Sequence, residues 1–222
     1  MAQSRDEQIR EQLRGLKVFD VERPAFDLEA APRHPAELFL QWLTEAIDAG
    51  VQAPHAMTLG TVDEDCRPTT RVLLLKGLDD GRWQFASSRT SRKGREIAAR
   101  PWGAATFYWR EHSRQVRLRG RILDGGAEAA ARDFRARPLD SQIEALAARQ
   151  SEVLGDRRDL VAAAEAARRR LEADPELVPE HWALYHLVPD EVEFWQGDPA
   201  RRHVRLRYRF AHDAWTRDVL WP

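Results

Sequence analysis

Apolar residues recur along this chain with two different periods, and the change between them divides it. Ile9, Leu13 and Leu16 are spaced as on a short helix, and a stretch punctuated by prolines follows from Pro24 to Pro35. From Ala36 to Ala49, Leu38, Phe39, Trp42, Leu43, Ala46 and Ile47 fall on one helical face, with Gly50 where a C-terminal cap belongs. The period then drops to two. Strands are predicted at His55–Val62, Thr69–Lys76, Arg82–Ser87, Ala104–Trp109 and Gln115–Leu123, separated by turn sequences that suit antiparallel hairpins. Between the third and fourth, Ser91–Arg100 reads as a short helix stopped by Pro101. Ala127–Ala136, Ser141–Ala148 and Asp156–Ala173 read as helices, and strands return at Trp182–Val188, Glu191–Trp195, Val204–Ala211 and Ala214–Leu220. The pattern predicts an N-terminal arm over residues 1–35 and a single α+β domain over residues 36–222, built on an antiparallel barrel with peripheral helices.

Composition narrows the classes. With 222 residues, 43% apolar and 32% charged, the chain can bury a core without disulfides or metal. Thirty-five basic against 36 acidic residues leave a net charge of −1, which argues against nucleic acid or an anionic membrane as partner and makes any anion site local. The single cysteine, Cys66, excludes an internal disulfide and multi-cysteine metal sites, and no metal site is expected. No apolar run approaches the ~18 residues of a membrane span, and the first ten residues lack a signal-peptide core, so a cytoplasmic protein is expected. Only three lysines (Lys17, Lys76, Lys93) stand against 32 arginines, and two of them lie in the most motif-like region.

Four clusters carry candidate chemistry. In Arg71-Val-Leu-Leu-Leu-Lys76 the two cations are an odd number of residues apart, so they face opposite sides of a strand unless a bulge intervenes, and they could serve two neighbouring anions. The plain alternative is a buried strand with charges at both ends. Ser87-Ser-Arg-Thr-Ser-Arg-Lys-Gly94 sits where a strand enters a helix, and small hydroxyls, backbone N–H groups, Arg92 and Lys93 there suit a phosphate; a solvated helix start is the alternative. Gln115, Arg117, Arg119 and Arg121 share one face of a strand, a solvated face in the ordinary case, with the Gln115 amide free for a heterocycle edge. Arg201, His203 and Arg205 alternate onto one face just after Glu193-Phe-Trp-Gln-Gly197, a grouping that suits a flat anion.

Taken in order, RVLLLK (71–76), FASSRTSRKG (85–94), RQV (114–116), RPLDSQI (137–143), RQS (149–151), EFWQG (193–197) and RRHVR (201–205) resemble the pyridoxine (pyridoxamine) 5′-phosphate oxidase family, over about residues 38–222. The resemblance implies an FMN-binding split β-barrel homodimer with two flavins in clefts between subunits. It implies a cofactor role for Arg71, Val72, Leu73, Leu74, Ser87, Arg92, Lys93, Gln115, Gln150, Ser151, Trp195 and Arg205. It implies a substrate role for Lys76, Arg137, Ser141, Arg201 and His203, the last two also as the catalytic pair beside the reacting carbon.

The chain departs from the family in places. Where the family carries a tyrosine four residues before the RPxxSQ arginine, this chain has Asp133, whose carboxylate would repel a substrate phosphate. No Arg-x-x-Tyr element is found in residues 1–20. WRE at 109–111 and ARQSE at 148–152 also resemble the phenazine-biosynthesis FMN oxidases. The implied function is an FMN-dependent oxidase that converts pyridoxamine or pyridoxine 5′-phosphate to pyridoxal 5′-phosphate with O2 and releases H2O2. Oxidation of a dihydro-aromatic, phenazine-type intermediate is the second reading, and a non-catalytic flavin-binding split barrel is the third.

Overall fold

The change of period after Gly50 is where helix gives way to sheet. The computed structural model describes residues 4–222. Its elements are α1 (Arg5–Gly15), α2 (Pro35–Asp48), β1 (Ala56–Val62), β2 (Pro68–Leu74), β3 (Gly77–Asp79), β4 (Arg82–Ser88), α3 (Arg92–Ala99), β5 (Trp102–Trp109), β6 (Arg114–Asp124), α4 (Gly126–Arg135), α5 (Leu139–Ala147), α6 (Arg157–Ala173), β7 (Trp182–Gln196), β8 (Val204–Ala211) and β9 (Ala214–Val219). Helix α2 starts on Pro35, whose missing N–H costs nothing in the first turn, and ends before Gly50, which adopts φ +70°.

The described strands form one antiparallel sheet in the order β2-β1-β5-β6-β7-β4-β3, with β8 and β9 continuing from β7. At one edge the chain leaves β2, the Leu75 N–H donates to the His55 carbonyl and the Lys76 N–H to the Gln84 carbonyl (both 2.8 Å), and β3 begins at the opposite edge. The sheet therefore curls into the expected antiparallel barrel with helices outside it.

Two expectations need correction. The predicted strands Trp182–Val188 and Glu191–Trp195 are one strand, β7, whose first half pairs with β4 and whose second half pairs with β8 along the same edge. Pro189 lacks an N–H and so reads as a break; in the structure it faces Gly120, and the register slips by one residue between Arg119 and Gly120. A Cβ at Gly120 would stand 2.0 Å from the Val188 carbonyl oxygen, so only glycine fits the bend. The strand predicted to reach Lys76 ends at Leu74, which puts Lys76 in the crossing segment. Strand β3, three residues long, is too short to show a period.

Two cores result. The first fills the barrel and is closed by α2: Phe39 and Trp42 meet Trp83, Phe107 and Phe194 at centroid distances of 4.8 to 5.5 Å. The second lies among α4, α5 and α6, where Phe134, Ile143, Ala167 and Leu171 pack toward Trp182 at the start of β7. Along β6 the alternation predicted from the sequence holds, with Val116, Leu118 and Ile122 buried and Arg117, Arg119 and Arg121 exposed. The proline-punctuated segment is tied down through its carbonyls: Ala25 accepts from Arg114, Pro24 from Gln196 and Pro32 from Tyr208. Helix α1 carries a capping box between Ser4 and Glu7 and buries none of its residues.

Candidate functional site

Helix α3 begins immediately after β4, and that junction assembles the first group of candidate residues. Ser91 caps the helix by accepting from the Gly94 N–H, and Gly94 is needed there because a Cβ would lie 2.3 Å from the Arg89 carbonyl oxygen. The Lys93 side chain is buried and turns inward, donating to Gln150 Oε1 (2.7 Å) and Ser87 Oγ (3.1 Å). Ser151 Oγ accepts from the Arg92 N–H at the start of α3 (3.1 Å). The distant Gln150–Ser151 pair and the Ser87…Lys93 segment are therefore one structural unit.

Its electrostatics are unbalanced. Burial, and then the charge of Arg71, push the Lys93 ammonium down to about 8, and every hydrogen-bond acceptor it has is neutral. Arg71 and Arg92 both lean on Glu96, at 3.2 and 2.8 Å. Burial alone would push the Glu96 carboxyl up, but hydrogen bonds from Thr61, Thr69 and Arg92 and the charge of Arg71 hold it below the usual carboxylate range. Three cations therefore gather around Glu96 at a helix start, with Asp63 a looser second carboxylate 3.9 Å from Arg92. That donor set fits a phosphate monoester, which would meet a buried ammonium, helix N–H groups and small hydroxyls.

A cavity of about 320 Å3 opens beside this unit, and its lining includes Val72, Leu73, Leu74, Ser87 and Gln150 together with Lys76, Arg137 and Ser141. The odd spacing of Arg71 and Lys76 is resolved by the end of β2: Arg71 stays on the strand against Glu96, while Lys76 lies on the crossing to β3 and reaches the cavity. Its ammonium has no hydrogen bond or ion pair among the described residues. Arg137 stacks over Trp182 at 4.5 Å and donates to the Ser141 carbonyl (3.3 Å). Asp133 accepts from the same Trp182, Nε1–H to Oδ2 at 2.9 Å, so guanidinium and carboxylate share one indole.

The second group lies elsewhere on the sheet. Gln115 on β6 pairs with Trp195 on β7, and Trp195 with Arg205 on β8, so the three form one row across three strands and share a face. Arg205 grips Glu193 through Nε (2.9 Å) and Nη2 (3.1 Å), and Arg117 approaches the same carboxylate. Here too burial opposes the result, but the Arg205 and Arg117 hydrogen bonds hold Glu193 below the usual range. The His203 ring lies 5.0 Å from that of Trp195, with Phe19 edge-on to both, and His203 Nδ1 accepts from the Asp198 N–H (3.0 Å), which leaves Nε2 as the outward nitrogen. Arg201 is exposed, with φ +64°, and its guanidinium lies 5.9 Å from the Phe19 ring. No hydrogen bond or ion pair among the described residues joins this group to the first, so one chain presents two separate part-sites.

Sequence reasoning missed Glu96, Glu193 and Trp182. Two of the three left a trace: Glu96 is four residues after Arg92 on a helix, and Glu193 stands on the Trp195 face of its strand, opposite Arg207 and diagonal to Arg205.

A family profile described as Pyridoxamine 5′-phosphate oxidase matches residues 43–170, and one described as Pyridoxine 5′-phosphate oxidase C-terminal dimerisation region matches residues 182–222. The chain belongs to the pyridoxamine 5′-phosphate oxidase family. Among relatives, a protein of Ectopseudomonas mendocina named pyridoxine/pyridoxamine 5′-phosphate oxidase is 45% identical over 206 residues, covering 91% of this chain and 95% of that one. The protein of that name from Burkholderia lata is 44% identical over 186 residues, covering 84% and 86%. Among solved structures, PhzG from Burkholderia lata 383, in complex with tetrahydrophenazine-1-carboxylic acid, superposes with a TM-score of 0.85 at 31% identity, covering 91% of this chain and 99% of that one. An FMN-binding protein of Nostoc punctiforme superposes with a TM-score of 0.69 at 18% identity, a likeness of fold. The sheet is thus the split barrel of this family. Among the described residues no helix is long and apolar enough to cross a membrane.

Proposed function

We propose that the protein is a cytoplasmic, homodimeric FMN-dependent oxidase that converts pyridoxamine or pyridoxine 5′-phosphate to pyridoxal 5′-phosphate. Membership of the family makes it an oxidoreductase. The observation that carries the cofactor is the Lys93 ammonium, buried among neutral hydrogen-bond acceptors beside Arg71 at the start of α3, with its charge only partly offset by Glu96. Lys93, Ser87, Arg92 and Arg71 would hold the FMN phosphate, with Gln150 and Ser151 fixing the helix start. Bound there, FMN supplies the hydride acceptor that O2 regenerates with release of H2O2.

The chain's own groups bind and orient. Lys76, Arg137 and Ser141 line the same cavity and would take the substrate phosphate. Gln115, Trp195, Arg205, Arg201 and His203 would reach the flavin and substrate from the other subunit, because they form a separate part-site within each chain and the C-terminal segment that carries four of them matches a dimerisation region. Arg201 and His203 Nε2 would aim the reacting carbon and hold a proton near its substituent. Residues 1–35 act in this reading as an arm on the single domain of residues 36–222.

Asp133 favours the second reading, a dihydro-aromatic substrate of the phenazine type, because it puts a carboxylate beside the proposed phosphate seat. Oxygen uptake and pyridoxal 5′-phosphate formation with pyridoxamine 5′-phosphate, compared with a dihydrophenazine carboxylate, test the assignment. Turnover of the latter alone transfers it to the second reading. Flavin uptake with neither turnover leaves a binding protein.

A further inference from the structure

Behind Lys76 and Arg137 lies a second cavity, larger than the first at about 760 Å3, between α4 and the ends of β4, β6 and β7. The two cavities share Lys76, Arg137 and Pro138 as a common wall. Its volume falls within the range of sites that enclose a small molecule.

Most charges on its wall are spent on neighbours. Arg82 pairs with Asp79 at 3.3 Å, Asp124 with Arg89 at 2.8 and 2.9 Å, Arg132 with Glu128 at 2.6 Å, and Asp133 accepts from Trp182. Three polar side chains are not spent. The Lys76 ammonium, the Gln84 amide and the His186 ring have no hydrogen-bond partner among the described residues. His186 is only 9% exposed, its Nδ1 is sealed from solvent without a partner, and the residue lines the cavity. Gly125 lies so close to that ring that a Cβ there would come within 2.7 Å of Nε2. Because Nδ1 is sealed, Nε2, which has no hydrogen-bond partner among the described residues, is the ring nitrogen left for an occupant of the cavity. Between these polar groups the wall is apolar, with Leu123, Ala129 and Leu184.

We propose that this cavity is a second ligand site, for a flat aromatic ring that carries a single carboxylate or phosphate. The anion sits on Lys76, the ring lies against Leu123, Ala129 and Leu184, and its polar edge meets His186 and Gln84. Only the competition for Lys76 rests on the function proposed above: because the ammonium is shared, an occupant excludes a phosphorylated substrate and leaves flavin in place.

The test uses the FMN-loaded protein and calorimetric titration with 1-naphthoate, 1-naphthyl phosphate and neutral 1-naphthylmethanol. One anion is expected to bind once per chain, with the neutral analogue about tenfold weaker or worse. The tighter of the two anions identifies the natural headgroup. Ala129→Trp, which fills the cavity, and His186→Leu, which removes the ring nitrogens, are each expected to weaken binding about tenfold or more while FMN titration stays at wild-type values. Two variants keep the test open should one not fold. Failure of both anions to bind, binding unchanged in whichever variants fold, or displacement of the anion by excess FMN each overturns the proposal. Because flavin uptake is measured separately, loss of this site and loss of the oxidase reading give different results.

Discussion

Lys93→Met separates the two demands placed on one side chain. The substitution keeps the length and apolar stem of the lysine and removes its charge. In the flavin-free protein that charge is held at a penalty: pushing the ammonium from 10.5 to about 8 corresponds to about 3 kcal/mol. Methionine relieves it but leaves the buried Ser87 Oγ without its donor, a loss of about 1 kcal/mol, while exposed Gln150 turns to water. The net expectation is a flavin-free variant more stable by about 1–2 kcal/mol, a rise in melting temperature of a few degrees. Flavin affinity moves the other way, because a charge-assisted hydrogen bond to the phosphate is lost, and falls roughly 10- to 100-fold.

The two effects also differ in pH dependence. The folded value of Lys93 lies below its unfolded one, so the penalty is in full force below about pH 8 and fades as the pH rises toward 10.5, where both states are neutral. Over that range the wild-type flavin-free protein gains stability from this group while its affinity for FMN declines, and the variant loses both slopes. Thermal melts without flavin and fluorescence titrations with FMN between pH 7 and about 10 read both. A variant that melts lower than wild type and binds FMN equally well refutes the reasoning.

Three further outcomes are expected. Asp133→Asn keeps an acceptor for Trp182 Nε1 and removes the negative charge, so the KM for pyridoxamine 5′-phosphate should drop several-fold, about 1 kcal/mol, at unchanged flavin content; a rise in KM counts against the phosphate seat. Glu96 is held below the usual carboxylate range, so the stability it contributes is present near neutrality and is lost as the pH falls through its lowered value; urea melts below about pH 4 should show a steeper loss for wild type than for Glu96→Gln. If flavin is held between two chains, dilution monitored by sedimentation and flavin fluorescence should release FMN and dissociate the dimer together, and a monomer with stoichiometric FMN contradicts that.

Much of the fold was legible because period and punctuation agreed, as where Phe39 and Trp42 mark the buried stripe of α2 and Gly50 its end. The bend of β7 was not, because Pro189 signals a break in any sequence and the bulge opposite it depends on Gly120, a residue 69 positions away. Residue order placed Lys93, Gln150 and Ser151 in motifs, but only folding puts the Gln150 amide against the ammonium and the Ser151 hydroxyl on the helix start. The role of Trp182 in joining Asp133 to Arg137 left no local pattern, since it brings the start of β7 against α4 and the turn that follows it. The separation of Gln115, Trp195 and Arg205 from the Lys93 unit is likewise a property of the curled sheet, and no spacing along the chain expresses it.

In the proposed function this chain holds a flavin that a B6 phosphate ester reduces. The most direct measurement mixes the FMN-loaded protein with pyridoxamine 5′-phosphate in the absence of oxygen and follows the visible flavin band. With one equivalent of ester per flavin the yellow colour is expected to bleach as one pyridoxal 5′-phosphate and one ammonia form, and admitted air to restore it with one H2O2 per flavin. A band that persists under excess pyridoxamine 5′-phosphate, in protein shown to contain FMN, contradicts it.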